Sequence, residues 1–185
     1  MPSDQTVSRG LHDLGAAAWF GGALMGAVGL NEASSAMQRN DDRVRVAEVG
    51  WRAWQPWKAA AIAAHVAGSL GLLWGNKARL AGQRGAMTVN IAKTGVFAAA
   101  LGADLYAAAL GRRVAEQQPA PVDSAVDPGL ATPEDLAETQ RQLRAAQWAV
   151  AALTGANVVL GAKMGEQQRP TSLVSGIVDR LGPNR

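Results

Sequence analysis

The sequence contains no cysteine and has little charge. Without cysteine the chain cannot form disulfides, thiolate metal sites, iron–sulfur clusters or cysteine nucleophiles. Charged residues make up 18% of the 185 residues, against about a quarter in soluble domains, and aromatic residues make up 5%. The net charge of +3 is too small and too scattered to indicate a nucleic-acid surface. Alanine (38) and glycine (21) are abundant instead, a composition that argues against an ordinary soluble protein.

Charged residues are missing from three stretches of the length of a membrane span. A helix needs about 20 mostly apolar residues to cross a hydrocarbon core of roughly 30 Å. A fourth stretch has this length but carries Lys93 and Asp104. The sequence therefore predicts an all-α, polytopic membrane protein with one four-helix domain over residues 1–185; an Ala-rich soluble four-helix bundle is the alternative. The predicted transmembrane helices are residues 11–31, 57–76, 88–110 and 145–165.

Tryptophan positions support these boundaries, because indole prefers the membrane–water interface. Trp57 and Trp74 bracket the second predicted span. The 17 residue steps from one to the other rise about 25 Å as a helix, close to the separation of the two interfaces. Trp148 lies at the start of the fourth span, whereas Trp19 lies inside the first and is interpreted as a packing residue.

The segments outside the spans have distinct patterns. Residues 32–56 form a charged juxtamembrane connector whose end is predicted to be an amphipathic helix. Residues 112–132 contain several prolines and acids and are predicted to be a flexible loop. Thr132 is predicted to cap a helix that starts at Pro133 and runs to residue 165. An apolar stripe over residues 171–182 predicts a short amphipathic C-terminal helix.

The termini and connectors suggest a topology. The first nine residues are polar, so the first span is expected to be a retained signal anchor. The short connector 76–87 carries three cations and no acid, which favours the cytoplasmic side. We therefore expect a multi-pass protein of the plasma (inner) membrane with both termini in the cytoplasm.

Ionisable and polar residues inside the spans are the candidate functional residues, because a central Lys or Asp costs about 2.5–3.5 kcal/mol on insertion. Their depths predict that Lys93 pairs with Asp13 and that Asp104 pairs with His65. Such a His–Asp pair is interpreted either as a proton relay or substrate contact, or as a polar clasp that fixes helix register. Asn157, in the middle of the fourth span, is expected to form an interhelical hydrogen bond.

Haem ligation was considered because the chain has two histidines, His12 and His65. The first lies at the start of its predicted span and the second near the middle of its own, so a shared iron is not expected. Residues 11–22, LHDLGAAAWFGG, resemble the His-x-x-(small)-x-x-x-Trp-x-Gly-Gly entry of copper-resistance D-like membrane proteins. The chain has no further histidines or methionine clusters for metal handling, so we expect no metal and no cofactor.

Small residues recur every four positions on the predicted spans, a pattern typical of closely packed membrane helices. Soluble-enzyme motifs such as G-x-G-x-x-G or H-E-x-x-H are missing from the sequence, so an enzyme is not favoured. The leading hypothesis is a non-catalytic accessory or assembly subunit of a plasma-membrane complex, with the lipid bilayer and other membrane subunits or a second copy as partners and no nucleic acid. The alternatives are a small proton-coupled carrier and a haem- or quinone-binding redox subunit.

Overall fold

The protein is all-α, with long helices packed as a four-helix bundle. A computed structural model describes residues 2–75 and 84–166, with side chains over 5–75 and 90–163. The first long helix consists of α1 (Pro2–Met25), a π-helical turn (Gly26–Leu30) and α2 (Asn31–Ser35). The other three are α3 (Asn40–Gly75), α4 (Arg84–Glu116) and α5 (Glu134–Glu166). The C-terminal helix predicted over residues 171–182 lies outside the described residues.

Three of the helical segments are long and apolar enough to cross a membrane, which suggests a multi-pass membrane protein. They are residues Gln5–Ser35, Asn90–Glu116 and Glu134–Lys163. The fourth helix, α3, combines the apolar stretch predicted as the second span with the charged segment before it. Its 36 residues give a rod of about 54 Å, longer than the hydrocarbon thickness.

The juxtamembrane segment and the second predicted span form one helix. The second span was predicted to begin at residue 57, directly after Pro56, but α3 continues through this proline from Asn40 to Gly75. A proline inside a helix removes one backbone hydrogen bond and is costly unless packing holds the helix together. Two tryptophans on the preceding turns provide such packing: the rings of Trp51 and Trp54 lie against Gly26 and Gly22, where a Cβ atom would overlap them. The first helix therefore holds the N-terminal half of α3 through glycines.

The helices pack unequally around the bundle. The first helix lies closely against α3 and also contacts α5, and α4 lies against α5, whereas α3 and α4 touch each other much less. The close crossing of α1 and α3 depends on Gly15 and Gly68. A Cβ atom at Gly15 would lie 2.6 Å from the backbone nitrogen of His65, so only a glycine permits this approach. The weak contact between α3 and α4 leaves two clefts along their seam.

The acidic segment between α4 and α5, predicted as a flexible loop, closes one end of the bundle. Val122 and Val126 are each 2% exposed and belong to a core cluster with residues of α3, α4 and α5. The side chain of Gln140 donates a hydrogen bond of 2.9 Å to the carbonyl of Ser124. The predicted cap at Thr132 was wrong, because its hydroxyl donates to the carbonyl of Pro121 and accepts from the amide of residue 129. The long helix that was expected to follow is present as α5.

Candidate functional site

All four long helices contribute to one polar cluster inside the bundle. His12 and Asp13 come from α1, His65 from α3, Lys93 from α4 and Asn157 from α5. Residues far apart in the sequence meet here because glycines line the same crossing. A Cβ atom at Gly68 would overlap the backbone of His12, and one at Gly161 would lie 3.1 Å from the His12 ring.

His12 links a carboxylate to an amine. Its Nδ1 lies 2.6 Å from Oδ1 of Asp13, and its Nε2 contacts Nζ of Lys93. The carboxylate accepts, so Nδ1 carries the proton and Nε2 is free to accept from the lysine ammonium. The side chain of His12 is 5% exposed and that of Asp13 is 57% exposed. The imidazole therefore connects a partly buried lysine to a carboxylate at the protein surface.

His65 is held by a backbone carbonyl and an amide. Its Nδ1 donates a hydrogen bond of 2.9 Å to the carbonyl oxygen of His12, which leaves Nε2 as the acceptor for Nδ2 of Asn157 at 3.2 Å. Its ring stacks on Phe97 with centroids 5.3 Å apart. The interhelical hydrogen bond predicted for Asn157 is confirmed. Because Nδ1 bonds a carbonyl and Nε2 an amide nitrogen, this geometry fits a neutral imidazole.

One acceptor at the cluster has no partner. Oδ1 of Asn157 is buried, and no hydrogen bond to it is found among the described residues. Most buried side-chain polar atoms are hydrogen-bonded, so an orphaned acceptor calls for a physical explanation. A 180° rotation of the amide would turn Oδ1 toward Nε2 of His65 and would suit a proton on that nitrogen. The pair can therefore accommodate His65 with or without the second proton.

The two histidines lie at the same depth, and the sequence-based prediction that they do not was wrong. Their ring centroids are 4.4 Å apart. The prediction failed because α1 begins at Pro2, so His12 lies in the third turn of its helix rather than at the beginning of a span. Each ring nitrogen of the pair already has a partner, so an iron bound by both Nε2 atoms would have to displace Lys93 from His12 and Asn157 from His65. Among the described residues, no group of three or more His, Asp or Glu side chains lies close enough together to hold a metal ion.

The cluster opens into a small cleft between α3 and α4. The cleft has a volume of about 220 Å³ and is lined by both histidines, Lys93 and Asn157. Asn90 and Thr94 of α4 add polar groups, and leucines of α3 complete the wall. The cluster is therefore accessible to a few water molecules or a small solute.

A buried ion pair forms a second polar layer on the same seam. Nζ of Lys58 lies 2.7 Å from Oδ2 of Asp104, with the two side chains 9% and 15% exposed. This pair replaces the predicted contact between Asp104 and His65, whose ring bonds His12 and Asn157 instead. Similarly, Lys93 contacts His12, which stands between it and its predicted partner Asp13.

Lys58 was missed as a site residue because the sequence places it beside the tryptophans of a predicted interface. The available signal was Asp104: a buried carboxylate needs a cation, and α3 has a lysine directly at the start of its apolar stretch. Asp104 lies 11 residues from Lys93 on α4, which places the two polar layers about 16 Å apart along the bundle.

Comparisons with known proteins add no relative from which a role could be transferred. No protein-family model, curated protein or solved structure matches the chain.

Proposed function

We propose that this protein is a small proton-coupled membrane carrier whose site is the cluster of His12, Asp13, His65, Lys93 and Asn157. The observation that carries the proposal is the meeting of these side chains from four helices beside a cleft. Ionisable residues inside a membrane bundle are costly and are characteristic of ion and proton pathways. A structural clasp needs neither a cleft nor an unpartnered acceptor.

The contacts support a proton path through His12. Lys93 lines the cleft, its amine contacts Nε2 of His12, and Nδ1 of the same ring bonds the exposed carboxylate of Asp13. An imidazole can accept a proton on one nitrogen and release one from the other, near neutral pH. His65 and Asn157 form part of the cleft wall, and the ring of His65 lies beside that of His12. A solute in the cleft would therefore contact the groups that exchange the proton.

Reconstituted vesicles test this function. The protein is placed in liposomes with a pH-sensitive dye inside, and a panel of amino acids, small carboxylates and monovalent cations is added outside. At least one class is expected to drive proton movement, and H12Q, which keeps hydrogen-bonding groups but cannot titrate, should abolish it. S69A is the matched control, because Ser69 lines the cleft but bonds its own helix at the carbonyl of His65. Proton movement that is missing from the parent protein, or unchanged in H12Q, would refute the proposal.

The carrier is proposed to have four spans, with α3 crossing the membrane alongside the three more apolar helices. Trp57 and Trp74 at the two ends of its apolar stretch are 69% and 76% exposed, as expected for indoles at the two interfaces. With four spans both termini lie on one side, and the cationic connector 76–87 favours the cytoplasm. The plasma (inner) membrane is the proposed location.

A role as an accessory subunit is the second candidate, and one surface favours it. Only 11% of the most apolar stretch of α4 is buried inside the bundle, whereas the corresponding shares of the other two candidate spans are 33% and 39%. On its outer face Gly95 and Gly102 have open space where a Cβ would be. Small residues on an exposed membrane helix allow another helix to approach closely.

Extraction from membranes in a mild detergent tests the accessory role. A complex is expected to migrate well above the 19.2 kDa of the chain and to dissociate in G95L, whereas G111L leaves it intact because Gly111 faces a cleft. Migration at the mass of the chain alone would exclude this candidate.

A further inference from the structure

The larger cleft between α3 and α4 is a second feature of the seam. It has a volume of about 790 Å³, within the range of about 300–1,000 Å³ typical of ligand sites. Most of its lining is apolar and includes Trp19, Trp51 and Trp54. It lies on the Lys58–Asp104 side of the seam, away from the cluster proposed for proton transfer.

The charged side chains that line this cleft are balanced in sign. Three acids and three bases line it, so their net charge is zero: Glu48, Arg52, Lys58, Asp104, Arg112 and Glu116. Arg52 pairs with Glu48, and the side chains of this pair are 73% and 45% exposed. This set of charges offers a cation to a phosphate and a carboxylate to an ammonium group. It does not favour a purely anionic head group.

The inner part of the cleft is about as deep as one leaflet of a bilayer. On α3 the wall runs from Val44 to Ile62, and its part from Arg52 inward covers 10 residues or about 15 Å. On α4 the wall runs from Glu116 to Leu101, and its part from Arg112 inward covers 11 residues or about 16 Å. Half of a hydrocarbon core is about 15 Å. With the arginines at head-group level, the inner part of both walls therefore reaches apolar residues near the bilayer centre.

We propose that this cleft binds one zwitterionic phospholipid of the surrounding bilayer, with its phosphate at Arg112 and an acyl chain between α3 and α4. The apolar walls inward of the arginines accommodate the chain, and the balanced charges suit a head group with one phosphate and one ammonium. The lipid would fill the gap that the weak contact between the two helices leaves.

Native mass spectrometry of the intact protein tests this site. The delipidated protein is offered phosphatidylethanolamine, which is zwitterionic, or phosphatidylglycerol, which is anionic. One phosphatidylethanolamine is expected to remain bound, and R112Q should weaken its retention about tenfold through the lost charge-assisted contact. R113Q is the matched control, because Arg113 is the next residue of α4 and does not line the cleft. Equal retention of phosphatidylglycerol, or equal retention by R112Q and the parent, would overturn the proposal.

Tryptophan quenching gives a second readout inside a bilayer. A variant with Trp57, Trp74 and Trp148 replaced by Phe keeps only the three tryptophans outside those surface positions, all of which line the cleft. In vesicles of phosphatidylethanolamine with brominated acyl chains their fluorescence should be quenched. G111L should restore it by filling the cleft, whereas G102L, a glycine with equally open space that does not line the cleft, should not. Unquenched cleft tryptophans, or equal quenching in G111L and G102L, would overturn the site.

Discussion

The glycine at position 68 provides the most direct test of how the candidate site is assembled. In G68A the new methyl group would lie 2.8 Å from Cα of His12 and closer to two further backbone atoms of α1. Ordinary contacts begin at 3.4 Å, so the helices must separate by at least about 0.6 Å, the difference of the two values. Backbone atoms cannot move aside as a flexible side chain can, so α1 as a whole must shift.

The expected energy follows from two opposing terms. Overpacking costs about 1–3 kcal/mol, and replacing a helical glycine by alanine returns about 0.5–1 kcal/mol. G102A is the matched control, because Gly102 lies in α4 with open space around it and gains the same helix propensity. The propensity term cancels between the two variants, so G68A should be less stable than G102A by about 1–3 kcal/mol.

Reversible unfolding in mixed micelles, with the fraction of denaturing detergent raised stepwise and helix content followed by circular dichroism, measures this difference. Equal midpoints for G68A and G102A would refute the argument that a glycine-dependent backbone contact holds α1 against α3. Proton movement in vesicles should also fall in G68A, because the shift moves His12 away from His65.

Two further predictions concern the second polar layer and the topology. K58M should destabilise the bundle by about 3–5 kcal/mol because Asp104 is left buried without its cation. The double variant K58M/D104L should recover most of this loss in the same unfolding assay. A double variant as unstable as K58M would contradict this account. The chain has no cysteine, so single cysteines report topology. D41C, in the exposed first turn of α3, should react with a membrane-impermeant maleimide from outside intact cells, whereas S172C in the tail should not. Reaction of S172C alone would invert the proposed orientation.

Helix content and approximate span positions could be predicted because they depend on local pattern. Uncharged runs, proline positions and the cationic connector each report on a few neighbouring residues. The apolarity of α3 was harder to judge, because its charged N-terminal half belongs to the same helix as its apolar half. The continuity through Pro56 depends on contacts of Trp51 and Trp54 with another helix, which no local pattern contains.

The sequence by itself determined that this protein is helical and that a few ionisable residues lie within long apolar stretches. It predicted four membrane spans, and three of the helices are long and apolar enough to cross a membrane. Only the tertiary structure decided which of those residues meet. Matching residues by depth predicted that Asp104 pairs with His65. In the bundle Asp104 forms an ion pair with Lys58 instead, and the ring of His12 lies against that of His65. The reason is physical: side-chain contacts depend on how closely and in which register two helices cross, and here glycines at positions 15 and 68 set that crossing.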